Sequence, residues 1–197
     1  MFTGIVEQLG TVVSSAETGT GRRLVLQGTG LGDLALGASL AVNGVCLTAV
    51  TLEEGSVALD IIPETLSRTN LGGLAVDDRV NLERPMPASG RFDGHIVSGH
   101  VDGLGVVESL VSAADGAVVM ELSLAPELTR YLVDKGSITV DGVSLTVASL
   151  TDRGLTVALI PHTLEVTTLG LRQPGDSVNL EMDVLAKYVE RLMSFNT

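Results

Sequence analysis

Apolar residues along this chain fall mostly on alternate positions: Leu24 and Leu26, Leu40 and Val42, then Val45 and Leu47. That is the period of a strand with one buried face. Parity changes at Asn43-Gly44, since Leu40 and Val42 are even while Val45 and Leu47 are odd, so a turn or bulge separates two strands there. A later stretch repeats the pattern, with Ile138 and Val140 before Asp141-Gly142 and Val143 and Leu145 after it. Several short strands with turns and little helix predict a small closed antiparallel barrel in each half. The tail differs. "DVLAKYVERLMSF" places Leu185, Tyr188, Val189 and Leu192 at spacings of 3, 4 and 7, which predicts an amphipathic helix from about Val184 to Phe195 with Asp183 as N-cap. This helix belongs to neither half, and it is expected either to pack against another subunit or to lid its own barrel.

The similarity of the halves is a duplication in register. "VNGVCLT" from Val42 and "VDGVSLT" from Val140 stand 140 − 42 = 98 residues apart. The same offset aligns "IPETL" at Ile62 with "IPHTL" at Ile160, "TNLG" at Thr69 with "TTLG" at Thr167, and "VNLE" at Val80 with "VNLE" at Val178. "GIV" at Gly4 faces "GHV" at Gly99 at 99 − 4 = 95, so three residues are gained before position 42, in an interval that holds the glycine-rich "QGTGLGDLALG". "RPMPASGRFDG", residues 84–94, is rich in turn formers and reads as the linker. The expected units are therefore residues 1–86, 95–183 and the helical segment 184–197.

Composition narrows the partners. The 197 residues suit one large or two small domains, and a 45% hydrophobic content with no Trp, two Tyr and three Phe requires an aliphatic core. A net charge of −12 repels phosphate backbones and anionic membrane surfaces, so neither nucleic acid nor membrane is an expected partner. The start "MFTGIVEQ" has no basic segment leading into an apolar one, and no apolar run approaches a membrane span. A soluble, cytoplasmic protein is expected. The single cysteine, Cys46, excludes an internal disulfide and a multi-cysteine zinc site.

Candidate chemistry lies where the two copies differ. With Val45 and Leu47 facing the core, Cys46 and Thr48 share the other face, as do Ser144 and Thr146. His95 and His100 do not make a metal site, because a separation of five puts them on opposite faces of a strand and no further ligand completes a set. His100 stands at the repeat position of Ile5, a titrating group on one side only and hence a candidate acid or base, whereas His95 reads as a linker residue. "GTGLGD" does not fit the dinucleotide fingerprint, and "KGS" at Lys135 lacks the loop that precedes a phosphate-binding lysine. No GxSxG supports Ser144 as an acylated nucleophile.

Taken together, "MFTGIVE", "VNGVCLT", "NLERPM", "GRFDGHIVSGHVDG", "KGSITVDGVSLT" and "IPHTLEVTTLG" resemble riboflavin synthases of the alpha-chain type, over almost the whole chain. The resemblance implies an all-β fold of two pseudo-symmetric six-stranded Greek-key barrels, with a C-terminal α-helix that gathers three chains into a homotrimer. It implies a reaction with no cofactor and no metal, in which two molecules of 6,7-dimethyl-8-ribityllumazine exchange a four-carbon unit to give riboflavin and 5-amino-6-ribitylaminouracil. Two substrate molecules would meet in each site, between the N-terminal barrel of one subunit and the C-terminal barrel of its neighbour. Unequal roles for two identical molecules suit two similar but non-identical cradles.

Carried onto this sequence, the resemblance implies a first cradle of Gly4, Ile5, Val6, Cys46, Leu47 and Thr48, with Asp60, Ile61, Ile62, Pro63, Glu64 and Thr65. The second would hold Gly99, His100, Val101, Lys135, Ser144, Leu145 and Thr146, with Ile160, Pro161, His162, Thr163, Leu164 and Glu165. Phe2 would close one cradle apolarly. Cys46, His100, Asp141 and Ser144 are the expected catalytic residues, His100 and Ser144 as proton carriers, with Asp141 alternatively fixing its turn. The competing expectations are a binding protein of the lumazine-protein kind, which needs only one intact cradle, and a flavin-dependent reductase module, which needs a nucleotide-binding partner domain.

Overall fold

A computed structural model describes residues 1–19 and 21–194. The first half runs β1 (Gln8–Thr18), β2 (Gly21–Gln27), β3 (Ser39–Val42), β4 (Val45–Glu53), β5 (Ser56–Ile61), helix α1 (Pro63–Arg68) and β6 (Arg79–Glu83). The second runs β7 (Gly103–Ser112), β8 (Val118–Leu124), α2 (Pro126–Thr129), β9 (Ser137–Val140), β10 (Val143–Thr151), β11 (Gly154–Leu159), α3 (Pro161–Val166) and β12 (Ser177–Met182), and α4 (Val184–Met193) follows. Each set of six strands closes into an antiparallel barrel with the same neighbour order, β1-β2-β5-β4-β3-β6 and its counterpart. The two barrels predicted from the alternation are both present.

Closing so few strands demands sharp bends, and β-bulges supply them. They fall at matching places, Val12/Ser14 and Ala49/Thr51 in the first barrel, Val107/Ser109 and Val147/Ser149 in the second. The cores are aliphatic, as the lack of aromatic residues requires: Leu24, Leu26, Leu40, Val57 and Leu82 in one, Met120, Leu122, Ile138, Leu155 and Leu180 in the other. Register also locates the inserted residues. Val12 pairs with Leu26 and Val107 with Leu122, so β2 matches β8 at 122 − 26 = 96 and β1 matches β7 at 107 − 12 = 95. One of the three extra residues therefore lies in the hairpin after β7, and the other two lie between β8 and β9, where α2 stands opposite the glycine-rich stretch.

Asn43-Gly44 and Asp141-Gly142 have φ of 45° and 78°, and 47° and 78°, the two left-handed residues of a type I′ hairpin turn. The turns stack on each other where the barrels meet: a Cβ on Gly44 would lie 2.7 Å from the backbone nitrogen of Gly142, and one on Gly142 would lie 2.6 Å from that of Gly44. Asn81 and Asn179 stitch this junction. Asn81 Nδ2 donates to the Asp141 carbonyl at 2.8 Å and Asn179 Nδ2 to the Asn43 carbonyl at 2.9 Å, each reaching into the other copy. The repeated threonines have a local task. Thr69 and Thr167 donate to the carbonyls of Thr65 and Thr163, ending α1 and α3, and accept from the N–H of Leu71 and Leu169.

Helix α4 covers neither barrel, for it buries none of its residues; Leu185, Tyr188, Val189 and Leu192 all stay more than half exposed. Asp183 caps it, its carboxylate accepting from Leu185 N–H at 2.9 Å. Ion pairs Lys187–Asp102 at 2.6 Å and Arg130–Glu190 at 3.0 Å hold its polar side to the second barrel. The lidding role is thereby set aside. Phe195, placed at the helix end by the sequence pattern, lies outside the described residues.

Candidate functional site

The segments that lead into β1 and β7 cross over. Gly4, with φ of 77°, accepts from Ser144 N–H at 2.7 Å, while Gly99, with φ of 79°, accepts from Cys46 N–H at 2.8 Å. Val6 packs on the core of the second barrel and Val101 on that of the first. Only glycine fits these positions, because a Cβ on Gly4 or Gly99 would stand 2.6 Å from the Cβ of Ser144 or Cys46. Phe2 and Val97 pair in an antiparallel bridge between the crossing segments, both fully buried with Ala41 behind Cys46.

This crossing regroups the expected cradles. Gly99, His100 and Val101 line a cleft of about 160 Å³ with Val45, Cys46, Glu64, Thr65, Arg68 and Thr69 of the first barrel, so His100 stands beside Cys46 and not beside Ser144. Gly4 sits instead against Ser144, whose cleft of about 420 Å³ is lined by Lys135, Ser144, Leu145, Thr146, Ala148, Ala158, Ile160 and Thr163. The repeat offset could not disclose this, since it aligns equivalent segments without saying which barrel each one serves. A groove of about 400 Å³ on the outer wall of the second barrel, lined by Leu104, Val106, Pro126 and Arg153 among others, holds none of the repeated motif residues.

Among the other expected residues, Leu47 and Ile61 point into the first barrel's core. Asp60 is bound bidentately by Arg23 at 2.6 and 2.8 Å, which holds its carboxyl below the usual range. Glu64 pairs with Arg68 along α1 at the mouth of the first cleft. Ile5, Thr48, Ile62, Pro63, Pro161, His162 and Glu165 are exposed, and Leu164 packs beside the second core. Lys135 has φ of 62°, where the first copy has Gly37 at 79°, and a left-handed lysine costs about 1 kcal/mol. Its ammonium donates to the Ala148 carbonyl across the second cleft.

Asp141 lies apart from both clefts. Fully buried at the barrel junction, it accepts from Arg172 at 3.0 and 2.6 Å, from Asn179 N–H at 2.8 Å and from Asn70 Nδ2 at 2.8 Å. Every contact it makes is internal, the turn-fixing alternative. His95, in contrast, is joined to the second cleft through Ser144. Its Nδ1 lies 2.7 Å from Ser144 Oγ and its N–H donates to the Thr3 carbonyl at 3.1 Å. Burial lowers the His95 pKa, opposed by the nearby Asp183 carboxylate, which favours the uncharged ring. The sequence concealed this because His95 has no partner at the repeat offset and adjoins a run of turn formers. Arg68, which the sequence reading did not single out, also lines the first cleft and is one-sided in the repeat, for 68 + 98 = 166 is Val166. No group of three or more His, Cys, Asp or Glu side chains able to hold a metal occurs among the described residues.

Comparison with known proteins follows the same division. The lumazine binding domain family matches residues 3–85 and again 98–183. A riboflavin synthase of Mycobacterium tuberculosis (strain ATCC 25618 / H37Rv) is 48% identical over 198 residues, covering 98% of each chain. One from Bacillus amyloliquefaciens is 45% identical over 194 residues, 98% of this chain and 90% of the relative. Among solved structures, LumP complexed with riboflavin superposes with a TM-score of 0.85 at 24% identity over 92% of this chain and 99% of that one, a likeness of fold. With two matched barrels and near-complete coverage by such relatives, the chain belongs to the riboflavin synthase family of lumazine-binding proteins.

Proposed function

We propose that this protein converts two molecules of 6,7-dimethyl-8-ribityllumazine into riboflavin and 5-amino-6-ribitylaminouracil, the last step of riboflavin formation. The observation that carries this reading is the pair of intact but chemically unequal clefts, Cys46 with His100 in one and Ser144, hydrogen-bonded to His95 behind it, in the other. All atoms of the two substrates reappear in the two products, so the reaction needs positioning and proton transfer and no external oxidant or reductant. One lumazine loses a proton from its C7 methyl and attacks the second; the four-carbon unit then changes owner.

An uncharged His95 is suited to take a proton through Ser144, whose hydroxyl rotates to donate or accept. On the other side, His100 and Cys46 are suited to the partner molecule. Thr65, Thr146, Thr163 and Lys135, which line the two clefts, suit ribityl hydroxyls. Asp141 serves the fold and not the chemistry. The functional units are residues 1–86 and 95–183, with 184–197 as the assembly element.

A homotrimer completes the reading: the uncovered stripe Leu185, Tyr188, Val189 and Leu192 on α4 would gather three chains, and each site would form between the first barrel of one chain and the second barrel of the next. A cytoplasmic location belongs to the same reading, in keeping with a lone unpaired Cys46. The test is incubation of the purified protein with the lumazine alone, following riboflavin absorbance. Product formation well above the uncatalysed background is expected; tight ligand binding without product would return the protein to a binding role.

A further inference from the structure

The "VNLE" motif marks the duplication, yet neither cleft contains it. Its parity explains why: Val80 and Leu82, like Val178 and Leu180, face the barrel cores, which turns Asn81, Glu83, Asn179 and Glu181 toward the junction. Glu83 and Glu181 are only 6% and 2% exposed, and neither has a direct ion-pair partner among the described residues. What they hold is backbone. Glu83 accepts from the Thr3 N–H at 2.6 Å, the Thr3 hydroxyl at 2.9 Å and the Gly4 N–H at 3.1 Å. Glu181 accepts from three successive N–H groups, Ser98 at 2.7 Å, Gly99 at 2.9 Å and His100 at 3.1 Å.

The peptides they hold are those that build the clefts. Thr3 and Gly4 give their N–H groups to Glu83, and their carbonyls accept from His95 N–H and Ser144 N–H, fixing Ser144 of the second cleft and its hydrogen-bonded partner His95. Gly99 gives its N–H to Glu181 and its carbonyl accepts from Cys46 N–H, while His100, held through its own N–H, presents its ring to the first cleft. We propose that Glu83 and Glu181 are positioning residues for the reaction, each setting the geometry of one cleft: Glu83 that of His95 and Ser144, Glu181 that of His100 and Cys46. Each carboxylate stands at the end of the last strand of one barrel and governs the cleft of the other. Burial pushes both carboxyl groups up, opposed by the N–H donors they accept from.

The inference rests on the clefts being the lumazine sites, so riboflavin formation by the unaltered chain is the control; its absence would remove the function without touching the geometry. The test compares Glu83→Gln and Glu181→Gln, which keep shape but turn an N–H donor against N–H donors. Imidazole C2–H proton resonances of His95 and His100 are followed by NMR, with exposed His162 as internal reference, alongside kcat and KM. Glu83→Gln is expected to move His95 and leave His100; Glu181→Gln to move His100 and leave His95. Each lowers kcat on the order of 10-fold to 100-fold, as a displaced catalytic group does, with a smaller change in KM. A purely structural role would lower the melting temperature of both variants while each histidine keeps its shift. Movement of the wrong histidine, of both together, or of neither overturns the proposal. Should a glutamine variant fail to fold, Thr3→Val removes one donor to Glu83 and leaves the carboxylate in place. It must still move His95 and not His100, and an unmoved His95 overturns the proposal.

Discussion

At the scale of single residues, chemistry and architecture separate at Ser144 and Asp141, three positions apart. Ser144 Oγ lies 2.7 Å from His95 Nδ1, and under the proposed reaction the two pass a proton, so Ser144→Ala and His95→Gln should each lower kcat by about 10²-fold while binding of riboflavin changes little. The double variant should be hardly slower than either single one, because both act on one proton path; additive losses measured by steady-state kinetics would dissolve the pair. The pH profile follows from the lowered His95 pKa. Below that value the ring is charged and cannot accept, so the acid limb of kcat should lie under the ordinary histidine value of about 6.5 and vanish in His95→Gln. Stability shifts with the same sign: a depressed histidine contributes fully above its unfolded pKa and loses that contribution as pH falls through its folded one. Asp141→Asn should behave oppositely to Ser144→Ala. Asn43 already fills the equivalent turn, its Oδ1 accepting from Asn81 N–H at 2.8 Å, so asparagine can keep the turn but leaves Arg172 without its carboxylate. A loss of about 2–3 kcal/mol in urea unfolding is expected, with kcat per folded molecule retained.

At the scale of elements, the fold depends on close approach between two turns. Gly44 and Gly142 meet backbone to backbone, and each also requires a left-handed conformation. Gly44→Ala therefore combines the left-handed penalty with a contact that no rotamer relieves, and should cost about 2 kcal/mol or more in denaturant unfolding. Ala at Gly55, in a hairpin where nothing lies within 4 Å of the added Cβ, meets only the conformational penalty and should cost less. Equal losses would mean that the turns do not bear on each other in solution.

At the scale of the whole molecule, α4 joins its own barrel through ion pairs and leaves its apolar stripe uncovered. Truncation after Asp183 removes no core residue, so both barrels should stay folded. In the trimeric reading, such monomers would keep both clefts but lose the facing one. Ligand binding then persists, while transfer between two bound lumazines loses a proximity effect worth up to ~7–11 kcal/mol in well-oriented systems. Sedimentation reads the assembly and riboflavin absorbance the rate. A truncated monomer with full activity at low concentration would place the site within one chain.

The sequence by itself determined the two barrels, their duplication and the terminal helix, because alternation, turn dipeptides and a 3.6-residue stripe are local consequences of burial that recur wherever the pattern recurs. It also disclosed the faces carrying Cys46 and Ser144, since parity along a strand survives folding. What only the tertiary structure decided is which segment meets which strand. The crossing of residues 3–6 and 98–101 moved His100 to Cys46 and Gly4 to Ser144, brought His95 within 2.7 Å of Ser144, and set the glutamates of "VNLE" to accept from the backbone of the crossing segments. The physical reason is that side-chain direction is a local property, whereas partnership between copies depends on how two nearly equal barrels dock. That docking is settled by the stacked glycine turns, the asparagines between them and the buried Phe2–Val97 bridge, contacts that span most of a barrel's length in sequence and leave no periodic trace.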